Sequence, residues 1–177
     1  LSGTCEADAL IKIYNGTTYL GERQATGTTW QKDVLLNTEG AYDLKVKAFD
    51  AIGNGSGASS NFVVNFDLTA PTLDLAQSPV IGSQSFDPAA NIVLTFSEAI
   101  RISPAGGYVS IDGSLIGLDD PQVSIVGNTL TINPTDPLLS ERLYDVTFQG
   151  YSGNPIQDLA GNALTENITF SFTTGVA

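Results

Sequence analysis

The chain has 177 residues and a formal net charge of −12, from 7 lysines and arginines against 19 aspartates and glutamates. It contains no histidine and one cysteine, which excludes a Ser-His-Asp triad, an imidazole metal site, an internal disulfide and a thiolate zinc cluster. The negative charge argues against nucleic acid or an anionic membrane surface as a partner, and no stretch approaches the ~18 apolar residues of a membrane span.

Apolar and polar residues alternate in many short runs, which is the period of a half-buried β-strand. Turn signals rich in glycine and asparagine separate these runs, and no window keeps the 3.6-residue period of a helix. The pattern therefore predicts an all-β sandwich or barrel. In chain order the runs contain Ala9, Ile11 and Ile13; Tyr42, Leu44, Val46 and Ala48; Phe62, Val64 and Phe66; Ile92, Leu94 and Phe96; Val123 and Ile125; Leu130 and Ile132; Tyr144, Val146 and Phe148; and Ile168, Phe170 and Phe172.

A linker is predicted at residues 67–71, where Pro71 cannot continue a central β-ladder and holds Ala70 in an extended conformation. Division at this linker gives two domains, residues 1–69 and 70–177, each of a size suited to a small sandwich. Because Leu1 begins in what looks like the middle of a strand, we expect the chain to be a fragment of a longer protein.

The two predicted domains share a weak repeat. Each contains a strand of the form Tyr-Asp-apolar-X-apolar, starting at Tyr42 and at Tyr144, followed by an Asp-X-X-Gly-Asn loop at residues 50–54 and 158–162. Each tyrosine follows a leucine and a turn, as in a tyrosine corner, where the phenol hydrogen-bonds the backbone at the entrance to a late strand. The sequence thus predicts two tandem Ig-like antiparallel β-sandwiches joined by a short linker.

A calcium site is the best candidate for chemistry in this chain. Calcium takes six to eight oxygen ligands at ~2.3–2.6 Å, and loops of Asp, Asn and Gly can supply them. In an Ig-type sandwich the chain enters at the end that carries the loop after the second strand and the loop before the last strand. We therefore expect Asp67 in the linker to meet Glu98, Asp158 and Asn162 at that end of the second domain.

Further acidic residues extend this prediction to the first domain. Glu6 and Asp8, in an early turn, are expected to approach the same seam from the other side. Asp50 and Asn54 form the equivalent loop of the first domain, which would face a preceding module and give an incomplete site here. Carboxylates gathered in this way repel one another, so a bound divalent cation would relieve the repulsion and fix the angle between modules.

Each of these features has an alternative interpretation. An Asp-X-X-Gly-Asn loop can be an Asx turn capped by its own side chain without metal, and Glu98 can accept N–H groups at a strand end. Asp119 and Asp120 are predicted to form a solvated turn rather than a ligand pair. Trp30 is predicted in the core rather than as a sugar platform, and Cys5 as a small buried residue rather than an inter-chain disulfide.

Five motifs of the first half occur in a characteristic order and cover nearly all of residues 1–71. They are Leu1-Ser2-Gly3-Thr4, Gly27-Thr28-Thr29-Trp30, Gly40-Ala41-Tyr42, Asp50-Ala51-Ile52-Gly53-Asn54 and Asp67-Leu68-Thr69-Ala70-Pro71. Together they resemble the bacterial Ig-like repeats of large surface adhesins. The Ala-Pro opening of such a repeat is missing, so the resemblance implies a repeat truncated at its N-terminus.

The second half carries a related set of motifs over about residues 70–175. These are residues 92–98, residues 130–134, Leu138 or Leu139 before Tyr144, residues 158–162, and the ending Phe170-Ser171-Phe172-Thr173-Thr174. They resemble the Ig-like domain of S-layer and biofilm-associated proteins. Since adhesin repeats of this kind often bind calcium between repeats, the resemblance implies the same cofactor here.

The resemblance implies a structural function without enzyme activity: an extender or stalk segment of a large bacterial surface or secreted adhesin, rigidified by calcium at inter-module junctions. Its expected partners are neighbouring Ig-like modules of the same chain, with no nucleic acid and no membrane insertion, and we expect an extracellular monomer. Two alternatives remain. The chain could bind a carbohydrate or a host protein through Tyr19, Tyr108 and Tyr151, or be an accessory domain pair of a secreted hydrolase.

Overall fold

The computed structural model describes residues 1–176, whose regular structure consists of β-strands with no α-helix. This confirms the all-β prediction. The described part of the chain has no helix with the length and hydropathy of a membrane-spanning segment. The strands are β1 (Ser2–Thr4), β2 (Leu10–Asn15), β3 (Thr18–Gln24), β4 (Thr29–Gln31), β5 (Gly40–Phe49), β6 (Phe62–Phe66), β7 (Ile92–Thr95), β8 (Ile100–Ile102), β9 (Gly107–Ile111), β10 (Ser114–Gly117), β11 (Val123–Val126), β12 (Thr129–Ile132), β13 (Leu143–Gly150), β14 (Ile156–Asp158) and β15 (Thr169–Thr173).

The chain folds into two compact domains, the first from Leu1 to Asp67 and the second beginning at Leu68. In the first domain β3, β2, β5 and β6 form one antiparallel sheet in that order, and β1 pairs with β4 in a short second sheet. Ile11 and Ile13 of β2 are buried, because period-two alternation turns them toward the second sheet. Trp30 of β4 packs against them, which confirms its predicted place in the core, and Cys5 is half-buried beside it.

Strand β6 forms where the alternation predicts it, but it is poorly covered. Phe62 is 60% exposed and Val63 is 62% exposed, although Phe62 was expected on an inward face. The reason is the size of the opposite sheet: β1 and β4 have three residues each, too few to cover the inner side of a four-stranded sheet out to its edge.

The second domain repeats the same arrangement with a larger core. Its four-stranded sheet has the order β10, β9, β13, β15, and β7 pairs with β12 in the facing sheet, to which β11 is added. This order is equivalent to the order β3, β2, β5, β6 in the sheet of the first domain. The pairing of β7 with β12 is likewise equivalent to the pairing of β1 with β4. The inner faces meet at fully buried side chains such as Leu94, Leu130, Val146 and Phe148. Both domains are therefore Ig-like sandwiches.

Both predicted tyrosine corners are present. The Tyr42 phenol donates to the carbonyl of Thr38 at 2.8 Å, and the Tyr144 phenol accepts from the backbone N–H of Leu139 at 2.8 Å. Tyr144 is buried and stacks on Phe172 with ring centroids 5.6 Å apart. Each corner thus fixes the chain just before the long strand that crosses the middle of its sheet.

We predict that Tyr144→Phe lowers the free energy of unfolding of the second domain by about 0.5–1.5 kcal/mol, because the Leu139 N–H loses its partner. Circular dichroism during urea unfolding measures the change, while the fluorescence of Trp30 follows the first domain separately. As a control, Tyr151→Phe alters a side chain that is 73% exposed and should change stability by less than about 0.5 kcal/mol. Equal effects of the two substitutions would contradict the structural role of the corner.

Candidate metal centre

The Asp158 loop lies between the two long final strands of the second domain. Strand β14 pairs with β8 and ends at Asp158, and a bridge between Gln157 and Ala163 closes the loop. Gly161 adopts a φ of +106°, a conformation that glycine reaches without strain. The pairing of β14 with β8 buries Asp158, whose side chain is 1% exposed.

The carboxylate of Asp158 closes this loop from within. Its Oδ1 accepts the backbone N–H groups of Gly161 at 2.5 Å and Asn162 at 2.8 Å, and its Oδ2 accepts the side-chain amide of Asn162 at 2.8 Å. This is the Asx-turn alternative of the sequence analysis. Since each carboxylate oxygen has two lone pairs, Oδ2 keeps capacity for one further interaction.

The loop at residues 50–54 has the same construction. Oδ1 of Asp50 accepts the N–H groups of Ile52 at 3.0 Å and Asn54 at 2.8 Å, and Oδ2 accepts the Asn54 side-chain amide at 2.7 Å. A bridge between Phe49 and Gly55 closes it. The sequence repeat is therefore a repeat of structure, and both loops hold their shape through their own hydrogen bonds.

The two loops differ in their acidic surroundings. Within residues 1–176, one group of three acidic side chains has ligand atoms that all lie within 4.8 Å of one another: Asp67, Glu98 and Asp158. Asp67 directly precedes Leu68, the first residue of the second domain, and Glu98 lies between β7 and β8. Asp67 and Glu98 are half-buried, so the three carboxylates are only partly screened by water.

Hydrogen bonds keep both loop aspartates ionised. Burial opposes ionisation of Asp158, but the hydrogen bonds from Asn162, Gly161 and Ala160 outweigh it and leave the pKa of Asp158 below its ordinary value. The Asn54 side chain, followed by its backbone N–H, lowers the pKa of Asp50 in the same way. At neutral pH the Asp158 carboxylate therefore contributes a full negative charge to the group with Asp67 and Glu98.

Such a group has the chemistry of a hard-cation site. Carboxylate oxygens are the preferred protein ligands of calcium, which also takes backbone carbonyls and water to reach six to eight ligands. Asn162 has a supporting position, because its amide nitrogen faces Asp158 and lies 3.5 Å from the carbonyl of Thr69. A cation bound here would offset the repulsion among the three carboxylates.

The other predicted ligands lie in the first domain. Asp8 has a φ of +55° and its Oδ1 accepts the N–H of Gly27 at 3.1 Å, which fits a turn role. Glu6 is exposed in the same turn. Asp50 and Asn54 belong to the self-closed loop described above, and metal binding by these four residues stays a prediction.

Arg101 supports the Asp158 loop, a role that the sequence did not indicate, and the chain turns at Asp119 and Asp120 as predicted. Arg101 of β8 donates through Nε to the backbone carbonyl of Asp158 at 3.1 Å. The positively charged guanidinium group of Arg101 therefore supports the loop from its backbone side. No sequence signal indicated this, because β8 has only three residues. Asp120 accepts the N–H of Gln122 at 2.9 Å, as expected of a turn.

Comparison with known proteins gives one family match. Residues 67–174 match the model of the bacterial Ig-like domain, so the match begins at Asp67 and includes Glu98 and Asp158. No curated protein matches the chain.

Two solved structures are similar at low identity. The fibronectin(III)-like modules of Clostridium thermocellum CbhA have 16% sequence identity and a TM-score of 0.34, covering 96% of this chain and 79% of that chain. Immunoglobulin domains 1–5 of Sidekick-1 have 10% identity and a TM-score of 0.28, covering 98% of this chain and 37% of that chain.

We predict that Asn54→Ala raises the pKa of Asp50 toward the ordinary value of about 3.9, because the side-chain amide is the main group that lowers it. The pKa of Asp50 is lower in the folded chain than in the unfolded chain. The ionised carboxylate therefore stabilises the loop at pH values above the unfolded pKa, and this stabilisation is lost as the pH falls through the folded pKa. Carbon-13 NMR titration of the carboxyl group measures the shift.

Ile52→Ala is the matched control for this titration. Ile52 is 85% exposed and contacts Asp50 through its backbone N–H, so the pKa of Asp50 should not change. An unchanged pKa in Asn54→Ala would refute the assignment of the amide as the dominant partner.

Proposed function

The chain belongs to the bacterial Ig-like domain family, and on that premise we propose that it is an extender segment of a large bacterial surface or secreted adhesin. Its task is structural: it spaces a distant binding region from its anchor and performs no catalysis. Tandem arrays of this kind are quasi-one-dimensional, because each module has its own core and contacts its neighbours along the chain.

Support for an extender role comes from the repetition of one topology in two consecutive domains. The four-stranded sheets have the same strand order, and each domain has a tyrosine corner and an Asp-X-X-Gly-Asn loop. The net charge of −12 favours solubility of a long array. The proposed partners are neighbouring Ig-like modules of the same chain, and the proposed location is outside the cell.

Calcium is the proposed cofactor, and the grouping of Asp67, Glu98 and Asp158 within 4.8 Å carries this part of the proposal. Asp67 belongs to the chain segment that enters the second domain, whereas Glu98 and Asp158 belong to loops of that domain. An ion bound by all three would tie the entering segment to those loops and restrict bending there. Carbonyl and water oxygens would complete the coordination.

The expected affinity follows from the proposed location. Extracellular calcium modules bind with dissociation constants of about 10⁻⁴–10⁻³ M. Binding to the folded state at ten times the dissociation constant adds about 1.4 kcal/mol to the free energy of unfolding. A modest rise in the melting temperature is thus the expected sign of the ion.

We predict that calcium titration of the chelator-treated chain gives saturable heat by calorimetry and raises the melting temperature. Asp67→Asn and Glu98→Gln each remove one charge and should weaken binding about tenfold or more. Asp158 is left intact, because its carboxylate also closes its loop. Asp119→Asn, in an exposed turn, is the control and should bind calcium like the parent chain.

Two results would overturn the calcium part of the proposal. The first is the absence of both heat and a melting shift at about 10 mM calcium, well above the expected dissociation constant. The second is undiminished binding in Asp67→Asn and Glu98→Gln, which would place the ion elsewhere. A parallel magnesium titration tests the choice of ion, since calcium accepts the more irregular coordination.

A further inference from the structure

Three lysines gather on the side of the β2–β5 pair that points away from β1 and β4, here called the outer face. Period-two alternation turns Ile11 of β2 and Leu44 of β5 inward, where both are buried. The positions between the inward residues face the other way, and they include Lys12, Lys45 and Lys47. The outer face thus holds three of the seven lysines and arginines in a chain with a net charge of −12.

The β-ladder places two of these lysines directly opposite each other. Lys12 of β2 is paired with Lys47 of β5. Side chains in such a pair have Cβ atoms about 4.5–5.5 Å apart, and like charges at this spacing destabilise a sheet. The first domain therefore carries a concentration of positive charge that opposes its own folding.

Two carboxylates share the outer face, and other side chains engage them. Glu22 of β3 is opposite Lys12 and accepts a hydrogen bond from the Tyr19 phenol. Asp43 of β5 accepts the side-chain amide of Asn61 at 2.8 Å. In the described part of the chain, none of the three lysines has a carboxylate oxygen within 4.0 Å of its ammonium group. The ammonium groups are therefore accessible to an anionic ligand.

Aromatic rings lie beside the lysines at both ends of the outer face. At one end Lys12 Nζ is 4.9 Å from the centroid of the Phe49 ring. At the other end Tyr14 is paired with Lys45 and meets Tyr19 edge-on, with ring centroids 5.8 Å apart. Because Tyr19 is 51% exposed, a ligand that contacts the lysines can also contact its ring.

The second domain shows that the fold does not require these lysines. Its equivalent strands, β9 and β13, contain no lysine or arginine, although Val109 and Val146 are buried on their inward side. On the outward side of β13, Asp145 and Gln149 are exposed, so this face of the sheet is open to solvent there. The lysines of the first domain are thus a property of its surface rather than of its core.

We propose that the outer face binds an acidic polysaccharide, a glycan chain that carries carboxylate or sulfate groups. Lys12, Lys45 and Lys47 pair with the anionic groups, and the Tyr19 ring packs against the face of a sugar. Lys45 and Lys47 are two residues apart, about 6.8 Å along β5, so an extended glycan meets the charges in succession. This glycan contact adds to the proposed extender role and does not depend on the calcium site.

A glycan fits this surface better than other polyanions do. The net charge of −12 repels a broad anionic partner such as a membrane surface or a nucleic-acid duplex. A single polysaccharide chain is narrow enough to follow one face of one sheet. An acidic peptide is equally narrow, but its carboxylates alone make no use of an exposed aromatic ring, whereas a sugar offers an apolar face to it.

The test measures binding of polygalacturonate and heparin to the whole chain by calorimetry, with dextran as an uncharged glycan. EDTA in every sample separates the result from the proposed calcium site. We expect both acidic glycans to bind saturably and dextran not to bind. Raising the salt concentration from about 0.01 to 0.1 M shortens the Debye length from about 30 to about 10 Å, so glycan binding should weaken.

Two charge-matched double variants locate the site. Lys45→Gln with Lys47→Gln removes two charges from the outer face and should weaken glycan binding at least about fivefold. Arg23→Gln with Lys32→Gln removes the same charge elsewhere in the first domain, since Arg23 is opposite the inward-facing Ile11. This control should bind the glycans like the parent chain.

Stability distinguishes a ligand-binding role of the lysines from a structural one. Lys47→Gln removes the charge opposite Lys12, so the melting temperature of the first domain, followed by Trp30 fluorescence, should stay the same or rise as repulsion is relieved. Tyr19→Ala removes the exposed ring without changing the charge, and it should weaken glycan binding at constant salt.

Four outcomes would overturn the proposal. One is the absence of binding by both acidic glycans at about 1 mM, a concentration that detects even weak complexes. Another is an equal loss of binding in the two double variants, which would indicate general charge attraction. The third is binding of polyglutamate as tight as that of the glycans, which would make an acidic protein the partner. The last is a lower melting temperature of Lys47→Gln, which would assign the lysine to folding.

Discussion

The need to cover the inner face of a four-stranded sheet governs both domains. In the second domain β7, β11 and β12 together with residues 72–86 cover that face, and Val146 and Phe148 of the central strand are fully enclosed. In the first domain β1 and β4 provide a much smaller cover, and Phe62 stays largely exposed. Within the described residues, the same sheet order thus has fully enclosed side chains on the central strand of the second domain and an exposed Phe62 on the edge strand of the first.

The polar features of the chain are organised by aspartate carboxylates that accept backbone N–H groups. Asp50 and Asp158 each fix a five-residue loop by accepting two backbone N–H groups on Oδ1 and the side-chain amide of the loop's asparagine on Oδ2. Arg101 holds the second loop from its backbone side. The loops are built alike, and what distinguishes them is the presence of Asp67 and Glu98 near Asp158.

Period-two alternation was sufficient to locate the long strands, since β2, β5, β13 and β15 carry uninterrupted patterns, and the tyrosine corners followed from Tyr42 and Tyr144. Strands of three residues, such as β8 and β14, are too short to show a period. The cover provided by residues 72–86 also escaped prediction, because it depends on long-range bonds such as that from Asp74 to Thr95. Topology led us to expect Asp67 near Glu98 and Asp158; that they bind a metal stays a prediction.

The self-closed aspartate loop gains its shape from hydrogen bonds of its own, independently of the ion proposed to bind beside it. Because Asn162 and Gly161 already occupy most of the acceptor capacity of Asp158, the loop reaches its shape in a medium that lacks the ion. Acidic neighbours outside the loop can then be gained or lost during evolution while the loop itself is preserved. In the proposed array, ion dependence would then be tuned separately at each joint, through single substitutions at the position of Asp67.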